Sequence, residues 1–137
     1  MTPQDNLNTI LRVCREQNLG SYPTLCAVLT GYAESDYRSD AVDPTGSTFG
    51  VFQQNPKWWP TAHSDTEAQC KAFLNDFFSK AAKHNSDPVH DCWLTQLWWD
   101  ASNPIPFEQY PSTINYRRRV DTAKLILQTG VIPKADG

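Results

Sequence analysis

Apolar residues at helical spacing occur in five runs, and one long segment without any helical period separates the second run from the third. Such spacing places the apolar residues on one face of a helix. Gly20 is the predicted end of the first helix, and Ser64 is predicted to begin the third with a capping box. The helices are predicted over residues 5–18, from Pro23 to Glu34, from Ser64 to Ala81, from Asp87 to Trp98, and from Ser112 to Gly130.

The segment of residues 36–61 carries turn and strand signals instead. Asp43-Pro44-Thr45-Gly46 is a turn signature, and Ser47–Gln54 contains the β-branched and aromatic residues typical of short strands or a hairpin. A helix bundle does not need such an insertion, whereas an α+β domain with a cleft beside it does. The predicted fold class is therefore α+β, mainly α, with about five or more helices and a small β-hairpin region after the second helix.

Length and charge narrow the classes of function. A chain of 137 residues corresponds to one domain, predicted over residues 1–130, with residues 131–137 as a tail or the start of a linker. The net charge of −3 argues against a nucleic-acid-binding face. No apolar stretch is long enough to span a bilayer, and the first residues are unlike a signal peptide. Folding in a cytoplasm is therefore expected, with the four cysteines as buried, reduced thiols.

Glu34 stands where the second predicted helix ends, between the apolar core and the polar loop. Tyr32, Tyr37 and Phe52 could shield its carboxyl partly from water, which would raise its pKa. A carboxylic acid that stays protonated near neutral pH can give its proton to a glycosidic oxygen. Such cleavage often uses a second carboxylate, and Asp43 in the following turn is the candidate. If Asp43 only shapes the turn, Glu34 would act alone.

The order of residues around Glu34 resembles a family signature. The lysozyme-like lytic transglycosylases and goose-type lysozymes have Glu-Ser followed within about twenty residues by a glycine-rich stretch ending in Gly-Leu-(Met/Phe)-Gln. The resemblance covers roughly residues 20–125 and implies a lysozyme-like fold. It is carried by Glu34-Ser35, Ala41, Gly46-Ser47, Gly50-Val51-Phe52-Gln53-Gln54-Asn55-Pro56, Lys71-Ala72-Phe73-Leu74 and Tyr116-Arg117-Arg118-Arg119-Val120.

The resemblance implies a peptidoglycan-degrading glycosidase that cuts the β-1,4 bond between N-acetylmuramic acid and N-acetylglucosamine. Glu34 would be the general acid and then the general base, without a metal or other cofactor. The chain looks most like the glycosidase domain of an endolysin from a phage of actinobacteria. Such an enzyme is made in the host cytoplasm and reaches the glycan strands of the wall through holin pores. A monomer is expected, either alone or as one domain of a larger endolysin.

Several polar and aromatic side chains are candidate substrate contacts. Ser35 would bond near the carboxyl, Tyr116 would reach the substrate's N-acetyl group or Glu34, and the glutamines would bind N-acetyl groups. Each also has a purely structural interpretation, in a turn, on an exposed strand or in the core. The sequence departs from the family at residues 97–103, where the family has Ala-Tyr-Asn-Ala-Gly. The predicted substrate-binding residues are Ser35, Thr48, Gln53, Gln54, Trp58 and Tyr116, with Trp59, Trp98 and Trp99 as further aromatic candidates.

Two other classes of function remain open at this point. Cys70, His84, His90 and Cys92 could in principle bind zinc in a wall peptidase or amidase, although their spacing is irregular. A non-catalytic wall-binding module would use the same aromatics and glutamines but would not need Glu34.

Overall fold

The computed structural model describes residues 1–81, 83, 87–96 and 113–134. Five helices lie within these residues, and they confirm the predicted, mainly helical class. The helices are α1 (Pro3–Glu16), α2 (Ser21–Ser35), α3 (Thr66–Lys80), α4 (Pro88–Gln96) and α5 (Thr113–Thr129).

The ends of α1 and α2 differ from the prediction. Thr2 begins α1 with a capping box, in which its hydroxyl accepts from the Asp5 amide at 3.1 Å and its own amide donates to the Asp5 carboxylate. The helix ends at Glu16, and Asn18, not Gly20, takes the left-handed conformation with φ 58°. Asn tolerates this conformation because its short polar side chain bonds locally. Gly20 is instead the N-cap residue of α2, with φ −69°.

The later helix ends follow the prediction more closely. Asp65, one residue after the predicted Ser64, caps α3 by accepting from the Ala68 amide at 2.9 Å. Asp87 and Pro88 begin α4 as expected, and the Asp87 carboxylate accepts from the Val89 amide at 3.0 Å. Gly130 ends α5 with φ 70°. The predicted cap at Ser112 lies outside the described residues.

Helix α2 is the centre of the fold and packs against each of the other four helices. Its residues are buried on nearly all sides from Leu25 to Gly31, as expected for a helix enclosed by others. Gly31 is the point of closest approach, because a Cβ there would meet Ile10 Cδ1 and Tyr37 Cε1 at 3.0 Å. The closely packed interior therefore fixes where the last turn of α2, with Glu34, emerges from the core.

The loop between α2 and α3 contains less β structure than a hairpin. Two isolated antiparallel bridges pair Val42 with Phe49 and Phe49 with Gln54. The Phe49 amide donates to the Gln54 carbonyl and the Gln54 amide to the Phe49 carbonyl, both at 3.0 Å. The predicted strand region is thus a compact, side-chain-supported loop, which we call the polar loop (residues 36–65).

The cysteines are four free, buried thiols at positions 14, 26, 70 and 92, as predicted. Among the described helices, none is long and apolar enough to cross a membrane.

Gln4 connects the first helix to the segment that follows α5. Its side-chain amide donates to the Gly130 carbonyl at 2.8 Å, and its side-chain oxygen accepts from the Ile132 amide at 3.1 Å.

Candidate active site

Glu34 lies in the last turn of α2 and is partly buried. The loss of hydration around its carboxyl raises its pKa from the ordinary value of 4.5 to about 7. A carboxyl with this pKa is populated in both protonation states near neutral pH. It can therefore donate a proton in one step of a reaction and accept one in another.

Tyr116 on α5 is the partner of this carboxyl. Its hydroxyl donates to Glu34 Oε1 at 2.7 Å, and its side chain is only 2% exposed. This hydrogen bond lowers the pKa of Glu34, against the larger effect of burial. Burial, followed by the neighbouring Glu34, raises the pKa of Tyr116 well above 10. Tyr116 therefore stays a neutral donor at physiological pH and stabilises the carboxylate once the proton has left.

The chain reverses sharply directly after Glu34. Asp36 and Tyr37 both have left-handed backbones, with φ 53° and 61°, a conformation that costs free energy in non-glycine residues. Buried contacts of Tyr37 offset this cost, because its hydroxyl donates to the Val28 carbonyl at 2.8 Å and its carbonyl accepts from the Asn6 side chain at 2.9 Å. This anchored turn ends α2 one residue beyond the carboxyl.

Ser35 connects α2 to the polar loop. Its side chain is buried, and its hydroxyl donates to the carbonyls of Val51 at 2.8 Å and Gly31 at 3.2 Å. The only proton of this hydroxyl is therefore shared between two backbone oxygens and is not directed at the Glu34 carboxyl. Through Ser35 the loop is held at a fixed position beside Glu34.

Arg119 belongs to the site, although the sequence analysis named it only within the Tyr116–Val120 motif and assigned it no role. Its guanidinium donates to the Tyr32 carbonyl at 3.1 Å, forms an ion pair with Asp36 and lies over the Tyr32 ring, 4.8 Å from the centroid. The positive charge meets the carbonyl end of α2, where a helix carries partial negative charge. The available signal was its position three residues after Tyr116, which places both on one face of α5.

Asp43 holds the turn of the polar loop. Its carboxylate accepts from the Thr45 hydroxyl at 2.6 Å, from the Ser47 amide and hydroxyl at 2.7 and 3.1 Å, and from the Thr48 amide at 2.9 Å. These bonds, led by the one from Thr45, hold the pKa of Asp43 well below its usual range. Asp43 is thus an ionised turn residue whose three partner residues, with four donor groups, all lie within the loop. This favours the alternative in which Glu34 acts alone.

Thr48 and Gln53 also bond inside the loop. The Thr48 hydroxyl donates to Gln53 Oε1 at 2.8 Å, and Gln53 Nε2 donates to the carbonyls of Ala41 and Gly50 at 3.0 Å. Gln53 has φ 48°, and its side chain compensates for this backbone by closing the loop around it. The two predicted substrate contacts therefore support the loop that borders the site, and nothing in their bonding assigns them a substrate.

Gln54, a predicted substrate contact, lies in the interior and supports the loop. It is fully buried, donates to the Gln69 carbonyl at 3.1 Å and accepts from the Thr61 hydroxyl at 2.6 Å. Gln69 on α3, which the sequence analysis missed, accepts from the Phe52 amide at 3.0 Å. Its amide nitrogen also donates to the carbonyls of Phe49 and Ala62. Buried polar groups need hydrogen-bond partners. The two buried amides find theirs between the polar loop and α3, and so they hold the loop against that helix.

The tryptophans divide between the surface and the core. Trp58 is partly buried, with the Lys57 ammonium 5.4 Å from its ring centroid, and retains exposed ring surface. Trp59 is buried and belongs to the interior. Trp98 and Trp99 lie outside the described residues.

A cavity of about 180 Å³ lies beside the polar loop, bounded by residues 39–42, 49–50 and 62–64. The rings of Phe49 and His63, with centroids 4.4 Å apart, form part of its wall. Glu34 does not line this cavity, so the cavity and the carboxyl are separate features of the surface.

Within the described part of the chain, no three His, Cys, Asp or Glu side chains come together as a metal site would require. The four residues weighed as zinc ligands include His84, which lies outside that part. Cys70 and Cys92 are buried in the core, and burial raises the pKa of the Cys92 thiol well above its usual value. A neighbouring Cys14, together with burial, does the same to Cys70.

Comparison with models of known protein families gives no match for this chain, and comparison with curated protein sequences gives none either. The function is therefore argued from the geometry around Glu34 and from the motif residues quoted above.

Proposed function

We propose that this protein is a glycosidase that cleaves the β-1,4 bond between N-acetylmuramic acid and N-acetylglucosamine in peptidoglycan. The observation that carries the proposal is the pair formed by Glu34 and Tyr116. At the C-terminal end of α2, a carboxyl with a pKa of about 7 accepts a 2.7 Å hydrogen bond from a buried tyrosine. Glycoside cleavage requires an acid of this kind at neutral pH.

In the first step the protonated Glu34 gives its proton to the glycosidic oxygen while the bond to the muramic acid C1 breaks. The carboxylate that forms retains the hydrogen bond from Tyr116, which is stronger to a charged than to a neutral acceptor. Because Asp43 is engaged in its own turn, it is not assigned the role of a second carboxylate.

In the second step the Glu34 carboxylate acts as the base. It takes the proton from the muramic acid 6-hydroxyl as that oxygen bonds to C1, which gives a 1,6-anhydro sugar and restores the acid. Attack by water on C1 would give a reducing end instead, and needs the same base. We favour the anhydro product because it requires no group besides Glu34 to position a water.

The biological role proposed with this chemistry is lysis of a bacterial host by a phage endolysin. It rests on the motif resemblance around Glu34-Ser35 and Gly50-Val51-Phe52-Gln53. The substrate would be the glycan strands of the wall, reached after release from the host cytoplasm.

Clearing of a suspension of actinobacterial cell walls tests the proposal. Wild type should reduce the turbidity, and Glu34→Gln should not, although it should still sediment with the walls. Glu16→Gln is the matched control, because Glu16 is an exposed glutamate at the end of α1. Clearing that persists in Glu34→Gln overturns the mechanism.

Two further results would favour the other classes of function. Clearing that a chelator abolishes indicates a zinc peptidase or amidase. Wall binding without clearing, by wild type and variant alike, indicates a binding module. Mass spectrometry of released fragments separates anhydro-muramic ends from reducing ends, which decides between a lytic transglycosylase and a hydrolase.

A further inference from the structure

Arg119 contacts the chain on both sides of Glu34. Its Nη1 donates to the Tyr32 carbonyl at 3.1 Å, and its guanidinium forms an ion pair with Asp36. Tyr32 lies two residues before Glu34, and Asp36 lies two residues after it. The guanidinium carbon also lies 4.8 Å from the centroid of the Tyr32 ring, within the range of a cation–π contact. One side chain of α5 therefore holds both ends of the segment that carries the carboxyl.

This segment is the last turn of α2, and a backbone hydrogen bond closes it. The Asp36 amide donates to the Tyr32 carbonyl at 3.1 Å, the same oxygen that accepts from Arg119. A carbonyl oxygen has two lone pairs and can accept both bonds. Asp36 itself has φ 53°, a conformation that is unfavourable for a non-glycine residue. Arg119 thus stabilises the turn at its carbonyl and at the side chain of the residue that ends it.

Tyr116 and Arg119 lie three positions apart on α5, so they share one face of that helix. Between the buried Tyr116 and Ala123, the residues of α5 are partly buried or exposed. In this stretch Arg119 gives α5 a directional attachment to α2, which apolar packing does not provide because it is non-directional. Hydrogen bonds weaken with small changes in distance and angle. The 2.7 Å bond from Tyr116 to Glu34 therefore depends on how this part of α5 is held.

We infer that Arg119 is a positioning residue that holds the Tyr116 hydroxyl on the Glu34 carboxyl, and that Asp36 is the counter-ion that allows a cation to lie beside the acid. The inference rests on the proposed function for its catalytic meaning, whereas the positioning itself is a property of the fold. An unpaired guanidinium beside Glu34 would favour the carboxylate and so deplete the acid. Paired with Asp36, it brings little net charge, and burial and the Tyr116 bond are what shift the pKa of Glu34.

Titration of the Glu34 carboxyl carbon by NMR, in protein labelled at its glutamates, tests the inference directly, and Glu34→Gln assigns the signal. We expect Arg119→Met to raise the pKa of Glu34 by about 0.8, because the variant loses the cation and loosens the Tyr116 bond. On a Tyr116→Phe background the same substitution should raise this pKa by only about 0.3, the part that is due to charge. Arg118→Met, at an exposed position of α5, is the matched control and should leave the titration nearly unchanged.

Asp36→Asn tests the counter-ion. Asparagine tolerates the left-handed conformation and can still accept from Arg119, so the turn should keep its geometry while the guanidinium loses its partner charge. The pKa of Glu34 should then fall, in the direction opposite to that in Arg119→Met. The expected fall is about 0.3, because the ion pair is partly exposed and solvent screens its charges.

Arg119→Lys separates position from charge, and it is the second variant if Arg119→Met does not fold. Lysine keeps the cation but lacks the planar fork that reaches the Tyr32 carbonyl and the Asp36 carboxylate together. It should raise the pKa of Glu34 by about 0.5, and this rise should disappear on a Tyr116→Phe background. On a soluble glycan oligomer, both Arg119 variants should lower kcat about tenfold with little change in KM, as expected for a misplaced catalytic group.

The outcomes separate the two proposals. Unchanged Glu34 titrations in both Arg119 variants, or rises of equal size with and without Tyr116, overturn the positioning role even if wild type is fully active. A pKa of Glu34 that does not fall in Asp36→Asn overturns the counter-ion role. The expected titrations in a protein that never cleaves peptidoglycan would overturn the proposed function and leave the positioning role standing.

Discussion

The hydroxyl of Tyr116 lies 2.7 Å from the carboxyl of Glu34, although 82 positions separate the two residues in the chain. The contact joins α5 to the last turn of α2, the central helix of the fold. Among the described residues, it pairs the one carboxyl whose pKa is raised to about 7 with a donor that stays neutral at any physiological pH. The predictions below concern this pair and the loop that borders it.

Replacement of Glu34 should separate activity from stability. We expect Glu34→Gln to lose about 10³-fold in the rate of wall clearing, the contribution of a positioned general acid. Fold stability should not suffer, because glutamine can accept the Tyr116 bond without a buried charge. Clearing assays and thermal unfolding of the same preparations test both parts. If Glu34→Gln is unfolded, Glu34→Asp serves as the second variant for the same measurements.

The same residue makes stability depend on pH. The pKa of Glu34 is raised in the folded state, so the folded protein binds more protons than the unfolded chain between about pH 4.5 and 7. The contribution of Glu34 to the free energy of unfolding therefore falls by up to about 3 kcal/mol as the pH rises through that window. Urea unfolding should show Glu34→Gln close to wild type near pH 4 and more stable at pH 8. Equal stabilities at pH 8 would contradict the buried, proton-binding carboxyl.

Activity should depend on pH in the same range. The acid form of Glu34 is needed, so kcat/KM of wild type should fall as the pH rises through about 7. Tyr116→Phe should move this falling limb of the pH profile to higher pH, because the variant lacks the hydrogen bond that favours the Glu34 carboxylate. The measurement is a pH profile on a soluble glycan substrate. A limb that stays in place in Tyr116→Phe would mean that Tyr116 does not contact Glu34 in solution.

Asp43→Asn distinguishes a turn residue from a catalytic one. The variant keeps one acceptor oxygen for the Ser47 and Thr48 amides. Its amide nitrogen cannot accept from the Thr45 and Ser47 hydroxyls, two bonds each worth about 1 kcal/mol, so the variant should be less stable at pH 7. The difference from wild type should shrink as the pH falls, because the carboxylate stabilises the fold only while ionised. The catalytic rate should fall less than about tenfold. A loss as large as that of Glu34→Gln would show that Asp43 takes part in the chemistry.

Three glycine substitutions should destabilise in a fixed order. Gly50 has φ 81°, and a Cβ there would lie 2.4 Å from the Gln69 side chain, so Gly50→Ala combines backbone strain with overpacking and should cost about 3 kcal/mol. Gly46 has φ 71° but open space around it, and Gly46→Ala should cost about 1 kcal/mol. Gly20→Ala has neither problem and loses only an N-cap preference, so it should cost less than Gly50→Ala. Urea unfolding gives the order, and a harmless Gly50→Ala would contradict the Gln69 anchor.

Much of the helical framework was accessible from the sequence. Apolar spacing and caps locate a helix because they act between residues three or four positions apart, as for Asp87-Pro88 before α4 and Gly130 after α5. The errors at Gly20 and Ser64 were shifts of a cap by one or two residues. They arise because Asn18 and Asp65 can serve as local stop or start residues equally well.

The roles of the polar residues could not be obtained in this way. Whether Gln54 faces solvent or the interior depends on Gln69, which lies on another helix, and Ser35 depends on the Val51 carbonyl across the loop. A glutamine on a short strand has the same sequence pattern in either case. Its burial is a property of the packed structure.

The sequence by itself determined the helices, the place of the irregular loop, and the position of a lone glutamate at the end of the central helix, because these follow from local periodicity and turn chemistry. Only the tertiary structure decided that Glu34 is desolvated, that Tyr116 and Arg119 reach the end of α2, and that Asp43 is engaged in its turn. Desolvation and hydrogen bonding depend on which distant segments pack together, and such contacts carry no signature in a single stretch of chain.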